Sequence, residues 1–273
     1  DVHGSRGLGD VYKRQPSYCM TCVVWVDSLE YKKELELIAK DLNIELVTKY
    51  PESGSFISYN KTGLYFVNDI KSPADVLHVD FLTGSMGWRL KRSKHETLLK
   101  KTLGKSKDCL TIFDGTAGFL SDAIIFLSLG HKVIACEQSK ILYLLVKDAC
   151  DRAADELPFL SNLNLIHGNS FEIYKDQINI DAIYLDPLYP ETKKHILRAG
   201  NIHAIKNVLM IEKIDDMADT LFTKFKELNY KKIILKRPIK GEKICNNINY
   251  QIKGKSTRFD IYLSLIHISE PTR

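Results

Sequence analysis

Apolar positions recur along this chain in two rhythms, and from residue 108 onward the two alternate regularly. Leu110–Phe113, Lys132–Cys136, Leu163–His167, Ala182–Leu185 and Lys232–Leu235 are short apolar runs that predict strands. Between them, Gly118–Leu129 (stopped by Gly130), Lys140–Leu157 and Asp215–Leu228 carry the wider spacing of helices. Two last runs, around Asn247–Ile252 and Arg258–Leu263, lie close enough to pair as an antiparallel hairpin. Repeated strand–helix units imply a mainly parallel sheet covered by helices on both faces, a Rossmann-like α/β architecture.

The earlier part of the chain reads as a smaller α/β lobe over residues 16–82. Cys22–Val26 opens it as an apolar β-rich run, followed by a helical spacing of Leu29, Leu35, Leu37, Ile38 and Leu42 and a short strand at Ile44–Val47. Phe56–Tyr59 and Leu64–Val67 flank Asn60-Lys61-Thr62-Gly63, which predicts a hairpin with Gly63 at positive φ. Val76–Phe81 is a further strand. Residues 83–107 form a basic connection with a helix at Glu96–Leu103 ended by Gly104, and 108–264 hold the alternating domain. Residues 1–15 and 265–273 have no periodicity that joins their neighbours. They read as a non-native leader and tail, similar to translated adapter sequence.

Charge sharpens this division. The formal net charge is only +5, but Arg89, Lys91, Arg92, Lys94, Lys100, Lys101, Lys105 and Lys107 crowd one segment against the single acid Glu96. Such a stripe suits a polyanion, with Arg89, Lys91 and Arg92 as candidate phosphate contacts; it would also suit a solvated helix face. Six cysteines in 273 residues are too few for a disulfide framework, which points to a reducing cytoplasm. Cys19 and Cys22 have C-x-x-C spacing but lack a second pair, and the eight histidines show no metal spacing, so no metal is expected. No apolar run approaches the roughly 18 residues of a spanning helix, so no membrane is expected either.

Candidate chemistry falls at the predicted strand ends, where ligands of such sheets bind. Asp114-Gly-Thr-Ala-Gly118 follows one strand and opens a helix, so small residues and unpaired N–H groups can approach a ligand. Glu137 ends the next strand, 23 residues after Asp114, where an acid can accept from both ribose hydroxyls. Strand, glycine turn, helix, strand and acid together indicate a nucleoside site. Without G-x-G-x-x-G, these two signals leave NAD, FAD and S-adenosylmethionine open.

Ile183–Leu185 then ends in Asp186-Pro187-Leu188-Tyr189-Pro190. The sequence suits an Asp-capped proline turn. It also resembles the D-P-P-Y-type motif of methyltransferases that act on exocyclic amines. An aromatic amine is a poor nucleophile because its lone pair is delocalised into the ring. A carboxylate accepting its N–H bonds favours a pyramidal nitrogen whose lone pair can reach a sulfonium methyl. Asp186 and Pro187 would hold the amine, and Tyr189 would stack on the extruded base.

Taken together, the chain resembles the small-subunit ribosomal RNA guanine-N2 methyltransferases of the RsmJ type from about Val79 to Leu263. The segments that carry the likeness are Val79-Asp-Phe81…Gly84-Ser-Met86, Asp114–Gly118…Asp122-Ala123, Leu165-Ile-His167, Tyr184–Pro190, Lys236-Arg-Pro238 and Arg258–Tyr262. The resemblance implies S-adenosylmethionine as cofactor. It also implies cofactor contacts at Ser121, Asp122, Glu137, Gln138, Asn169, Ser170 and Asp186, beside Asp114 and Gly118 of the glycine turn. Leu120 departs from the family, standing where a second glycine is usual, and Ser121 replaces a longer basic residue. The implied partner is small-subunit rRNA or the assembling subunit. Lys236-Arg237-Pro238, ending a strand on the ligand side of the sheet, suits a phosphate clamp or ordinary surface charge, and Arg258 beside Asp260 suits a further RNA contact or an ion pair in strand alternation. An adenine-N6 or other amine methyltransferase, and a non-catalytic RNA-binding protein on the same shell, are the competing expectations.

Overall fold

The computed structural model describes residues 21–104, 108–188, 200–214 and 218–264. The expected leader and tail, Cys19, Lys105, Lys107 and Tyr189 lie outside them.

Five strands build the first sheet: β1 (Cys22–Trp25), β2 (Leu46–Val47), β3 (Ser55–Asn60), β4 (Gly63–Val67) and β5 (Val76–His78), in the order β2-β1-β3-β4-β5. Helix α1 (Lys32–Leu42) lies between β1 and β2 in the chain and buries Leu35 and Ala39. The hairpin of β3 and β4 pairs Asn60 with Gly63, and Gly63 has φ 116°. Its lack of a side chain matters twice, because a Cβ there would stand 2.5 Å from Asp148 Oδ2 and 2.3 Å from Arg152 Nε. These two side chains fasten the lobe. Asp148 accepts from the Leu64 N–H at 3.0 Å, and Arg152 donates to the Val79 carbonyl at 2.6 Å.

The connection carries α2 (Gly84–Lys91), which periodicity did not suggest, and α3 (Thr97–Leu103), which ends at Gly104 with φ 96°. The second sheet contains β6 (Thr111–Asp114), β7 (Lys132–Glu137), β8 (Leu163–His167), β9 (Ala182–Leu185), β10 (Lys232–Pro238), β11 (Tyr250–Lys253) and β12 (Thr257–Leu263). Its order is β11-β12-β10-β9-β6-β7-β8, parallel from β8 to β10 and antiparallel in the final hairpin. The helices are α4 (Ala123–Ser128), α5 (Lys140–Ala153), α6 (Ser170–Lys175), α7 (Gly200–Ile211) and α8 (Ala218–Lys226).

Both faces of this sheet are buried, which explains why its strands read as continuous apolar runs. Ile112, Val133, Ala135, Ala182, Tyr184 and Ile234 share one core with α4, α5, α7 and the first sheet. The alternate residues Phe113, Cys136, Ile183, Leu185 and Ile233 pack with Tyr174 of α6 and with Phe222 and Phe225 of α8. From β6 the chain moves to β7 on one side, while β9 lies on the other. The order therefore reverses beside β6, and a crevice opens at the carboxyl ends of β6 and β9.

The helix expected at Gly118–Leu129 forms only from Ala123. Gly118 (φ 48°) and Leu120 (φ 55°) adopt left-handed backbone that cannot propagate a right-handed helix. Helices α6 and α7 were not anticipated. The first has six residues, and the second is apolar on most sides, so neither shows a clear amphipathic period.

Candidate active site and cofactor cleft

The glycine turn after β6 is organised from behind by Asp114. This carboxylate is 2% exposed and accepts from the Thr116 N–H at 3.0 Å. Burial pushes Asp114 up to about 7, against the lowering effect of that hydrogen bond. Thr116 in turn accepts the Asp186 N–H at 2.7 Å on its hydroxyl, joining the ends of β6 and β9. Gly118 donates its N–H to Glu137 Oε2 at 2.8 Å, and Ser139 donates to Oε1 at 2.8 Å. Burial likewise raises Glu137 to about 7. Leu120 is wholly buried. Its left-handed backbone costs about 1–2 kcal/mol in a non-glycine residue, and burial of its side chain, worth about 1.5–3 kcal/mol, offsets this.

A cleft of about 480 Å³ opens at this switch point. Thr116, Gly118, Glu137 and Gln138 form one wall, and Gly168, Asn169 and Ser170 form another. Asn169 caps α6, accepting from the Phe171 N–H at 3.0 Å. Asp186, Pro187 and Leu188 form the rim from β9, while α5, α6, α7 and α8 contribute Leu142, Phe171, Ile205, Leu209 and Leu221. Of the anticipated cofactor residues, Gly118, Glu137, Gln138, Asn169, Ser170 and Asp186 meet here. Asp114, Ser121 and Asp122 do not line the cleft. Asp114 and Asp122 are buried behind it, and Ser121 borders a separate hollow with Phe119 and Met86. The reason is local: the chain turns away at Leu120, and other groups hold both residues that follow.

Those groups form an ionic network. Asp122 is 6% exposed and accepts from Arg89 at 2.6 Å, from Lys236 at 2.8 Å and from the Tyr184 hydroxyl. Burial opposes ionisation of Asp122, but Lys236 and Arg89 outweigh it and hold the carboxyl below its ordinary value. Lys236 also donates to Asp186 Oδ2 at 2.7 Å. Burial raises Asp186 and Lys236 opposes that rise, with a net shift upward.

The expected RNA contacts separate into two groups. Lys91 and Arg92 are exposed, and the Arg92 guanidinium lies 4.8 Å from the ring centre of Trp88, itself 62% exposed. Arg89 does not reach outward, because Glu96, Asp122 and the Ser121 carbonyl engage its guanidinium. Lys236 faces the carboxylates rather than a phosphate. Arg258 is buried, paired with Asp260 and donating to the carbonyls of Pro238, Ile239, Gly241 and Glu242. Arg237 is buried too and donates to the Glu242 carbonyl at 2.6 Å. These two residues hold the turn after β10.

Thr116 and Tyr184 fall inside the motifs read from the sequence but had no role of their own there, and Trp88 was missed. A hydroxyl inside the glycine turn and a tyrosine interrupting an apolar strand were the available signals for the first two. Among the described residues no group of His, Cys, Asp or Glu is arranged to hold a metal.

Residues 38–264 match a protein family described as "Putative SAM-dependent methyltransferase". The protein named ribosomal RNA small subunit methyltransferase J from Desulfotalea psychrophila is 30% identical over 238 residues, covering 83% of this chain and 90% of that protein. The protein of the same name from Hahella chejuensis is 28% identical, covering 84% and 90%. A crystal structure of a SAM-dependent methyltransferase from Neisseria gonorrhoeae superposes with a TM-score of 0.64 at 25% identity, covering 89% of this chain and 96% of that one.

Proposed function

We propose that this chain, which belongs to the SAM-dependent methyltransferase family, transfers a methyl group from S-adenosylmethionine to the exocyclic N2 amine of a guanine in small-subunit ribosomal RNA. The observation that carries the site is the position of Asp186, on the rim of the switch-point cleft, tied by its N–H to Thr116 and by its carboxylate to Lys236. The RNA class rests on the relatives named ribosomal RNA small subunit methyltransferase J.

The cleft suits the cofactor in size and chemistry. Its volume lies within the ~300–1,000 Å³ of small-molecule sites. A nucleoside with a cationic sulfonium requires ribose acceptors, an apolar wall for its base and nearby negative charge. Each Glu137 oxygen accepts one backbone N–H and keeps a further lone pair for a ribose hydroxyl. Phe171, Leu142 and Leu188 offer the apolar wall, and Asp186 the charge. Bound there, S-adenosylmethionine supplies a methyl group activated by the positive sulfonium.

The protein's own groups act on the amine. Asp186 accepts an N–H of the target nitrogen and directs its lone pair into the cleft, while Pro187 stiffens the loop. No strong base is needed, because the nitrogen becomes acidic as it gains the methyl and sheds one proton. Guanine places an N1–H beside its N2 amine, two donors in a row, and an ionised carboxylate accepts only. Adenine sets an acceptor beside its N6 amine and matches less well. Tyr189 would stack on the extruded base, and Lys91, Arg92 and Trp88 would engage the flanking RNA. The action belongs in the cytoplasm with its RNA; among the described residues, no helix is long and apolar enough to cross a membrane.

Incubation of small-subunit rRNA, naked or in assembling particles, with enzyme and isotope-labelled cofactor tests this reading. Nucleoside mass spectrometry should find the label in N2-methylguanosine. Label in N6-methyladenosine would replace guanine by adenine, and RNA binding without label would make the protein a non-catalytic RNA binder.

A further inference from the structure

Lys236 is placed by sheet register. Strand β10 pairs in parallel with β9, Leu235 opposite Leu185; β9 ends there, and Lys236, still within β10 and paired with Phe259 of β12, stands beside Asp186, the first residue past β9. The Lys236 side chain is 25% exposed, and its ammonium lies 2.8 Å from Asp122 Oδ2 and 2.7 Å from Asp186 Oδ2. Asp122 is the fixed end of this bridge, since Arg89 holds its Oδ1 at 2.6 Å and the Tyr184 hydroxyl donates to Oδ2 beside Lys236. Arg89 is itself tied to Glu96 of the connection at 2.8 Å. The chain of contacts runs from α2 through Asp122 and Lys236 to the rim of the cleft.

We propose that Lys236 is a positioning residue of the active site: its ammonium, anchored on Asp122, holds the Asp186 carboxylate ionised and turned so that its second oxygen meets the target amine. The inference rests on the methyltransferase reading of the cleft. Charge balance around Asp186 supports it. Asp122 before α4 is a like charge nearby, Asp114 on β6 joins it only above about pH 7, Tyr184 on β9 is neutral, Arg89 is the more distant cation, and Lys213 and Lys224 line the cleft. Among these, Lys236 is the cation in direct contact with Asp186. Without it, Asp186 would share a partly dry site with the Asp122 carboxylate and take up a proton at higher pH. A protonated Asp186 offers a donor where the amine needs an acceptor. The phosphate-clamp role expected of a strand-end lysine fits less well, because an RNA phosphate would have to displace two carboxylates.

The test compares Lys236→Met and Lys236→Arg with the parent enzyme. In each protein without ligand, the Asp186 carboxyl is titrated by ¹³C NMR, its resonance assigned by its loss in the matching Asp186→Asn background. In Lys236→Met the midpoint should rise by about one unit or more, and in Lys236→Arg it should stay near the parent value. Single-turnover methylation by Lys236→Met should fall roughly tenfold or more near neutral pH and recover as pH rises, with the acid limb displaced upward. The salt dependence of RNA binding should be unchanged. An unmoved Asp186 midpoint, or a uniformly lower rate with the parent pH profile, would overturn the proposal. So would a flatter salt slope with no change in midpoint, which would restore the phosphate clamp. Should Lys236→Met fail to fold, Lys236→Gln carries the same comparison. Should the parent enzyme methylate no RNA, the proposed function fails, while the NMR titration still decides whether Lys236 controls Asp186.

Discussion

Single residues at the switch point carry two jobs, one toward the ligand and one toward the loop. Glu137 was legible in the sequence as an acid ending a strand at nucleoside spacing. Its bond to the Gly118 N–H was not, because it depends on a left-handed turn no local pattern announces. Well above pH 7, where a Glu137 carboxyl raised to about 7 is ionised, Glu137→Ala should weaken S-adenosylmethionine binding by about 1.5–3 kcal/mol, the scale of hydrogen bonds to a charged group. Calorimetric titration measures this, and unaltered affinity would remove Glu137 from the ribose site. Asp114 belongs to the loop alone. With burial raising it from its ordinary 3.8 to about 7, the native protein keeps a proton that the unfolded chain releases. Its contribution to stability is therefore complete at acid pH and is lost as pH rises through about 7. Asp114→Asn, which keeps an oxygen for the Thr116 N–H, should flatten that decline in denaturant melts between about pH 4 and 7. An identical pH dependence would mean that Asp114 is ionised in the folded protein throughout.

Among the elements, strands were more legible than helices. Strands buried on two faces keep their apolar runs whatever they pack against, so Leu163–His167 and Ala182–Leu185 were recognised at their observed bounds. Helix α2 carries glycines at both Gly84 and Gly87 and a weak apolar stripe, so its basic residues read only as a run of charge. In the fold that run divides. Arg89 points inward to Asp122, while Trp88, Lys91 and Arg92 point outward. Alanine at Lys91 and Arg92 together should flatten the slope of log affinity for RNA against log salt by about 1–2, as two phosphate contacts are lost. Trp88→Ala should weaken binding by about 1–3 kcal/mol with the slope unchanged, the mark of lost stacking. Arg89→Ala should leave the slope alone and lower the melting temperature, because Asp122 loses a partner. Filter binding across a salt series, with melting curves, separates the three. A flatter slope for Arg89→Ala would return that residue to the RNA face.

For the whole molecule, the parallel sheet, its antiparallel closing hairpin and the crevice beside Asp114 and Asp186 follow from strand order, and motif spacing already located the crevice. The long-range ties were invisible beforehand, since Lys236 lies 50 residues from Asp186 and 114 from Asp122, and the β9–β10 register sets it beside the first while the chain after β6 brings the second. The Arg258–Asp260 ion pair was legible as strand alternation, whereas the inward turn of Arg237 was not, because a charged strand end reads as surface. What unites the fold, the cleft and the network is the claim that Asp186 orients the amine. Asp186→Asn keeps the side chain's size, removes its charge and replaces an acceptor with a donor that opposes the amine's N–H. Single-turnover methylation of small-subunit rRNA at saturating cofactor and RNA should slow by roughly a hundredfold or more, the scale of one lost preorganised electrostatic contact, with RNA affinity nearly unchanged. Turnover at the parent rate would contradict the account, leaving Asp186-Pro187 a structural turn and the chemistry elsewhere.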